Sequence, residues 1–451
     1  MSPEDMRGFL GLLQDRQDLV TVRTPVSPIF EVAAYVRKSS DTDAPAFLFE
    51  DIEGYPGWRL AAGLYSTRRR IAAALDCAEA ETSQVYARAV QDPLPPEVGS
   101  GRGAPCKEIV WTGEEADLTR LPIVTHSEDD AGPYITSAVD VAKDPDTGVR
   151  GLAISRLQAT GPRRLGINSP PERRIGRFHL KAEEQGRPLG VAIIVGAGPA
   201  VDLASQARVP HTVDKYGIAG RLAGRPVSLV PCETIDVEVP GHAEIVIEGN
   251  MLPHVREPEG PFGEVLGTYG LRAPRPVIEV TAITMRRDAM YHTALTGMPT
   301  TENHLMTMPS YEEALRRVAS MAVPEVVDAA VLWFPFLVAV SIRKRMTFEA
   351  RNVIHTVLGP TAGTPQPKYC VVVDDDVDVH NLQEVLWAVM TRVQPERDVV
   401  ILPTMVGAPL DPSAPEYRHS SKMGIDATKP QGAPADRFKR VVVPGADRVR
   451  W

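Results

Sequence analysis

Hydrophobic rhythm divides this chain in three, and the middle part is the restrictive one. Between about residues 107 and 300 the apolar residues recur in short runs broken by turn signals. Residues 134–143 and 149–158 flank Asp144-Pro145-Asp146-Thr147-Gly148, the composition of a hairpin turn. Residues 227–230, 235–239, 244–248 and 277–285 read as further strands. Many short strands leave many edges, and closure is the arrangement that removes them. A closed or nearly closed β-barrel is therefore expected. One helix interrupts the strands: Pro170 and Pro171 start it, His179 lies inside it and Gly186 ends it.

The flanks alternate helical and extended patterns. Phe9, Leu10, Leu12 and Leu13 suit an opening helix, residues 19–26 a strand, 30–37 a helix and 45–49 a strand, and Thr67 can cap a helix through Ala74. Residues 92–106 are rich in proline and glycine and read as a linker or long loop. From about residue 301 the alternation returns: a helix over 311–321, strands over 338–342 and 369–373, and a helix over 382–392. The expected organisation is an N-terminal α/β domain with its linker over 1–106, a central β domain over 107–300 and a C-terminal α/β domain over 301–451.

A chain of 451 residues holds two or three such domains, and 43% hydrophobic with 24% charged residues is an ordinary globular balance. The 49 basic and 58 acidic side chains leave a net charge of −9, which argues against nucleic acid as the main partner. The longest apolar run, 329–342, is broken by Pro335 and falls short of the ~20 residues a membrane span needs. The N-terminal residues lack the basic flank and apolar core of a secretory signal. The four cysteines, Cys77, Cys106, Cys232 and Cys370, lie far apart and form no CxxC pair, so neither a thiolate zinc site nor a disulfide framework is legible. A cytoplasmic setting is expected.

Four constellations could carry chemistry. Residues 194–201, Ile-Val-Gly-Ala-Gly-Pro-Ala-Val, resemble a dinucleotide loop after a strand, but the third glycine is missing and the bland reading is preferred. Asp374, Asp375, Asp376 and Asp378 could hold Mg²⁺, or form a solvated strand end with a helix cap near Asp378; the second is preferred. Residues 256–264 set three acids among prolines and glycines. Such a rigid loop can turn two carboxylates to one point, as a general acid needs, or it can be an acidic surface turn. Arg156 ends an apolar strand, where a guanidinium either binds a carboxylate or reaches solvent.

Longer motifs go further. They include Leu121-Pro122-Ile123, Asp130-Ala131-Gly132-Pro133-Tyr134-Ile135-Thr136, the Asp144–Gly148 turn, Glu244-Ile245-Val246-Ile247-Glu248-Gly249 and Glu259-Gly260-Pro261-Phe262-Gly263-Glu264. Near the end come Val372-Val373-Asp374-Asp375-Asp376-Val377-Asp378, Trp387-Ala388 and the segment from Ser421 to Thr428. By these the chain resembles, over nearly its whole length, the UbiD family of reversible decarboxylases, which includes 3-octaprenyl-4-hydroxybenzoate and ferulic acid decarboxylases. The resemblance implies an α/β plus β fold: an N-terminal α/β domain, a central split β-barrel of flavin-reductase type that binds the cofactor, and a C-terminal α/β domain that makes a homodimer or higher oligomer. It implies prenylated FMN supplied by a separate flavin prenyltransferase, and an aromatic, heteroaromatic or α,β-unsaturated acid as substrate. Arg156, Glu259 and Glu264 match the family's catalytic network, with Glu264 as proton donor. Ile154, Ser155, Arg156, His179 and Lys215 fall at cofactor-binding positions.

The resemblance also exposes a departure. The family holds a divalent metal, usually Mn²⁺, on an asparagine, a histidine and a glutamate beside the flavin phosphate. By position these become Gly151, His179 and Lys215. Glycine offers no ligand and an ammonium cannot coordinate, so no metal is expected. Lys215 supplies the +1 that a divalent cation and one carboxylate would leave, and replacement is the preferred reading. On it, Lys215→Glu with Gly151→Asn should restore a manganese requirement. The alternative is a non-catalytic or repurposed flavin-binding homologue. At pocket positions the resemblance places Thr307 and Ala408, small walls that suit a wider ligand.

Overall fold

A computed structural model describes residues 2–298, 300–359, 366–445 and 448–449. The chain forms two compact units, Met1–Glu313 and Ala314–Trp451.

The first unit contains a four-stranded mixed sheet of Leu19–Val22, Ala46–Phe49, Arg59–Ala62 and Met290–Thr293. Its helix Met6–Asp15 starts at Asp5, whose carboxylate accepts the Gly8 amide at 2.8 Å, and buries Met6, Phe9, Leu10 and Leu13. Thr67 caps Arg68–Leu75 by accepting the Arg70 amide at 3.2 Å, as expected from its position before the helix. The last strand of the sheet comes from beyond the β-rich middle, which ties the N-terminal α/β part and that middle into one body.

The middle is a nine-stranded antiparallel sheet. Its order is Tyr134–Ile135, Leu157–Gly161, Arg164–Ile167, Ala273–Met285, Ile245–Glu259, Leu189–Val195, Val139–Lys143, Arg150–Ile154, with Ile109–Thr112 added on Ala273–Met285. No ladder among the described residues joins the two ends, so the hydrogen-bonded sheet is a curled half-barrel rather than a closed one. The connection shows how far it curls. Arg150–Ile154 lies at one end and Leu157–Gly161 next to the other, with only Ser155 and Arg156 between them. Three Cα steps reach ~11 Å, so the two ends nearly meet and Ser155–Arg156 crosses the seam.

Other elements differ in extent from the sequence reading. The expected first hairpin strand is two strands, Tyr134–Ile135 and Val139–Lys143, paired to different partners. Residues 244–248 begin a 15-residue strand, Ile245–Glu259, so most of the supposed acidic loop is strand, and only Gly260-Pro261 turns. The helix expected over 311–321 begins at Glu302 and carries Pro309 inside it. Helix Arg174–Glu184 packs on Val139–Lys143, Arg150–Ile154 and Ile245–Glu259.

The glycine loop after Leu189–Val195 is filled by the chain itself. A Cβ on Gly198 would lie 2.9 Å from the Asp5 Cα, and one on Gly196 2.8 Å from the Glu244 side chain. The close approach that a dinucleotide loop reserves for pyrophosphate is here taken by the N-terminal segment, and the following helix, Pro199–Ser205, is only seven residues long.

The second unit is a five-stranded sheet in the order Val326–Trp333, Leu337–Ile342, Tyr369–Asp374, His419–Asp426, Val399–Val406, with parallel pairing at its centre. Its aspartate run is neutralised: Arg392 bonds Asp374 at 3.1 Å and Asp376 at 2.9 Å, and Lys429 bonds Asp376 at 2.8 Å. The cap of helix Leu382–Arg392 is Asn381, three residues beyond Asp378.

Candidate active site at the seam of the half-barrel

Arg156 sits where the chain crosses the seam, and its side chain is 7% exposed. Its Nε and Nη2 donate to the two carboxylate oxygens of Glu259, at 2.8 and 2.9 Å. Its Nη1 is paired with Glu264. This fork-on-carboxylate geometry is the strong form of the ion pair. The residues alone leave the loop open between converging carboxylates and a surface turn, and the resemblance places Arg156, Glu259 and Glu264 in one network; the structure brings the three together with the guanidinium between the carboxylates. Glu257, the third acid, turns to Arg164 at 2.6 Å.

Strand pairing sets these positions. Glu259 ends the long strand opposite Ala273, and Gly166 leaves room for its side chain: a Cβ there would be 3.3 Å from the Glu259 Cγ. After Gly260-Pro261, Phe262–Gly263 pairs with Tyr269–Gly270 and delivers Glu264 to the opposite side of Arg156. Gly270 is needed there, since a Cβ would approach Glu264 Oε1 to 2.9 Å. The Phe262 ring lies 5.2 Å from the Arg156 guanidinium and 4.5 Å from the Tyr134 ring.

Two positioning residues were not singled out from sequence. Asp130 accepts the amides of Gly263 (2.8 Å) and Ser127 (2.9 Å), while burial raises its pKa above the ordinary carboxylate value. Gln158 donates to the Ala131 carbonyl at 2.8 Å and accepts the Gly260 amide at 3.2 Å. Together they dock the Asp130–Tyr134 motif on the turn before Glu264. The motif was visible, but its purpose depends on non-local pairing.

Beyond Arg150–Ile154 lies a cationic group. Lys215 opens helix Lys215–Ala223, and its ammonium donates to the carbonyls of Leu152, at 2.9 Å, and Ser205. Burial, reinforced by Arg174, Arg208 and Arg173, holds its pKa well below the ordinary lysine value. Arg174 donates to the carbonyls of Val209, Pro210, His211 and Val213 at 2.8–3.2 Å, and burial lowers its pKa to about 10.

His179 is not brought to this group. Its Nε2 lies 3.1 Å from the Leu252 carbonyl and 3.6 Å from Glu183, which is itself paired with Arg256. The space beside Gly151 is also taken: a Cβ there would lie 2.5 Å from Phe178 and 2.6 Å from Arg174. An asparagine there would need both side chains to shift, which counts against the expectation that Gly151→Asn with Lys215→Glu would rebuild a manganese site. It is Arg174, not His179, that lies against Gly151 and bears electrostatically on Lys215.

The residues present fit a flavin better than a divalent metal. Ser155, 3% exposed, has a hydroxyl without a hydrogen-bond partner at the seam, and Ile154 beside it is half-buried. Among the described residues, the hydrogen-bond partners of Lys215 are the Leu152 and Ser205 carbonyls, and no carboxylate occupies it. No three His, Cys, Asp or Glu side chains converge among the described residues. Thr307 bonds the Asn303 carbonyl at 3.0 Å in the first unit; Ala408 lies in the second.

Comparison with known proteins decides the family. Three family models match in order: the 3-octaprenyl-4-hydroxybenzoate carboxy-lyase N-terminal domain over residues 10–90, its Rift-related domain over 98–299 and its C-terminal domain over 304–427. The chain belongs to the UbiD family. It is 35% identical to the anhydromevalonate phosphate decarboxylase of Methanothermobacter thermautotrophicus, over 97% of this chain and 99% of that protein. Among solved structures, the UbiD-class enzyme HmfF from Pelotomaculum thermopropionicum in complex with FMN is 43% identical, with a TM-score of 0.92 and 99% of each chain covered. An evolved dimeric form of HmfF was solved with prFMN; it is 41% identical, with a TM-score of 0.89 and 99% of each chain covered. The vanillic acid decarboxylase of Sedimentibacter hydroxybenzoicus is 30% identical, with a TM-score of 0.88 over 99% of this chain and 97% of that one. UbiD proteins are carboxy-lyases, and this chain is a UbiD-class decarboxylase. No described helix is long and apolar enough to cross a membrane.

Proposed function

We propose that the protein decarboxylates, reversibly, an aromatic, heteroaromatic or α,β-unsaturated carboxylic acid with prenylated FMN, and that Lys215 contacts the cofactor phosphate in place of the family's metal. The observation that carries the catalytic part is the Arg156 guanidinium held by Glu259 and Glu264 at the seam. The relatives' names span an aromatic acid and a phosphorylated one, so the seam's carboxylate-binding fork is the shared requirement.

When bound, the prenylated flavin supplies the electron sink for loss of CO₂. The chain's own residues do the rest. Glu259, 0% exposed and bidentate, fixes the plane of the guanidinium. Arg156 meets the substrate carboxylate with the fork on the Glu264 side. Glu259 already balances the guanidinium, so a substrate carboxylate and an ionised Glu264 on that side would repel each other uncompensated, and a proton on Glu264 relieves the repulsion. Glu264 then delivers this proton to the carbon that CO₂ has left. Lys215 and the Arg173, Arg174 and Arg208 guanidiniums around it supply positive charge for a flavin phosphate, which would cost several kcal/mol to bury unpaired.

A flavin prenyltransferase is the implied cofactor supplier. Assembly as a homodimer or larger oligomer fits helix Leu382–Arg392, which exposes Leu382, Leu386 and Met390 four residues apart. The cysteines are all free, in keeping with a cytoplasmic enzyme. The test is Glu264→Gln, assayed for CO₂ release from a panel of aromatic and unsaturated acids. The flavin should stay bound and turnover should be lost; full turnover in the variant would remove Glu264 from the mechanism.

A further inference from the structure

Strand Val139–Lys143 carries a residue that its surroundings do not explain. Asp140 is 0% exposed, and neither carboxylate oxygen has a hydrogen-bond partner among the described residues. Its sheet-face neighbours two residues away are Ala138 and Ala142, both fully buried, and across the ladder it faces Ala153. An apolar residue would fill this position without cost. A buried orphan carboxyl disfavours the fold, and such a group in a native protein calls for a reason.

The hydroxyl and amide of Ser155 lie near enough to favour its charged form, as does Arg173 more weakly, but neither Ser155 group meets it with the distance and angle of a formed hydrogen bond. Desolvation pushes the Asp140 pKa up to about 8, so the group is mainly the neutral acid at pH 7. The Ser155 hydroxyl is likewise buried and without a partner. Asp140, opposite Ala153, and Ser155, just past the end of that neighbouring strand and next to Arg156, are thus two buried polar groups lacking a formed hydrogen bond among the described residues. A carboxylic acid and a hydroxyl each offer one donor and two acceptors. Side by side, they match a neutral ligand edge on which N–H or O–H alternates with C=O or O. They do not match a phosphate, which would face carboxyl oxygens, nor a cation, for which one carboxyl is too small a ligand set.

We propose that Asp140, acting with Ser155, is a hydrogen-bonding station for a neutral donor–acceptor edge of the bound flavin, either its imide or its ribityl hydroxyls. This rests on the flavin-binding reading given above and adds a cofactor-positioning residue to it. The orphan carboxyl is the feature that would be tolerated in the free protein because it is satisfied in the complex.

The test uses the full chain and FMN as probe, with affinity read from flavin fluorescence and stability from the melting temperature without flavin. Asp140→Val should melt no lower than the parent and bind FMN about tenfold more weakly, the loss of about one good hydrogen bond. Asp140→Asn keeps a donor and an acceptor and should stay within about threefold of the parent, while Ser155→Ala should weaken binding in the same direction as Asp140→Val. With 3-methyl-FMN, disappearance of the Asp140→Val effect assigns the imide edge and its persistence assigns the ribityl hydroxyls; either supports the station. Unchanged FMN affinity in Asp140→Val overturns the proposal. So does failure of that variant to fold, which would make the carboxyl a requirement of the fold. If the parent chain binds no FMN at all, the flavin reading itself falls.

Discussion

Putting asparagine at Gly151 and glutamate at Lys215 restores the ligand types of the family's metal site but not its space. A Cβ at Gly151 would lie 2.5 Å from Phe178 Cε2 and 2.6 and 2.9 Å from Arg174 Cδ and Cγ, about 1 Å inside ordinary carbon contact. Overpacking of that kind costs ~1–3 kcal/mol when neighbours can shift. Here one neighbour is Arg174, whose guanidinium makes four hydrogen bonds to the carbonyls of residues 209–213. Displacing it far enough to lose even one adds ~1.5–3 kcal/mol, so the total is ~3–6 kcal/mol. In a unit spanning Met1–Glu313, at about 2.1 cal/mol/K of unfolding entropy per residue, that is a fall of roughly 5–9 °C in melting temperature. Lys215→Glu alone should cost less, because a carboxylate there gains three guanidinium neighbours. Differential scanning calorimetry of the two single variants and the double variant measures this, and elemental analysis measures bound manganese. A double variant that melts with the parent and carries stoichiometric manganese would refute the reasoning.

Glu259→Ala leaves the Arg156 guanidinium, 7% exposed, without its bidentate partner; unfolding in urea should show a loss of ~3–5 kcal/mol, and turnover should fall with it. Asp140 bears on pH: its folded pKa of about 8 lies above the ~3.9 of an unfolded aspartate, so the folded state holds a proton the unfolded state releases. Stability of the flavin-free protein should therefore fall as pH rises from ~4 to ~8 and level off above, and Asp140→Asn should flatten that part of the curve. Gly198→Ala, at φ +97° with a Cβ 2.9 Å from the Asp5 Cα, should lower the melting temperature without changing FMN affinity; a fall in affinity alone would make that loop a cofactor loop after all.

What the sequence disclosed followed from the range of each interaction. The Thr67 cap and the opening helix are local and were legible from residues three or four apart. The middle's β character was legible from strand runs, and the two-residue Ser155–Arg156 link shows how near the sheet's ends come; its open hydrogen-bond order depends on which ends pair, which no periodicity records. An arginine after an apolar strand and acids beside Gly260-Pro261 stand out in the residues alone, with surface readings open; the family resemblance is what names Arg156, Glu259 and Glu264 as one network. Asp130 and Gln158 reach backbone amides more than 100 residues away, at Gly263 and Gly260, so the motif at Asp130 was visible while its purpose was not. The metal-site departure was readable as a change of residue type at Gly151 and Lys215. That Arg174 and Phe178 fill the gap is a matter of packing, and His179, chosen for its chemistry, faces the Leu252 carbonyl instead.

The central claim is that this chain works as a prenylated-flavin decarboxylase without the family's metal. Its most direct test is to coexpress it with a flavin prenyltransferase, purify it in the presence of a chelator and weigh the intact complex by native mass spectrometry while following CO₂ release from an aromatic acid panel. The account predicts the mass of one prenylated FMN per chain, no bound divalent metal and CO₂ release that survives the chelator. Colourless protein with no flavin mass, or activity that appears only with added manganese, would contradict it.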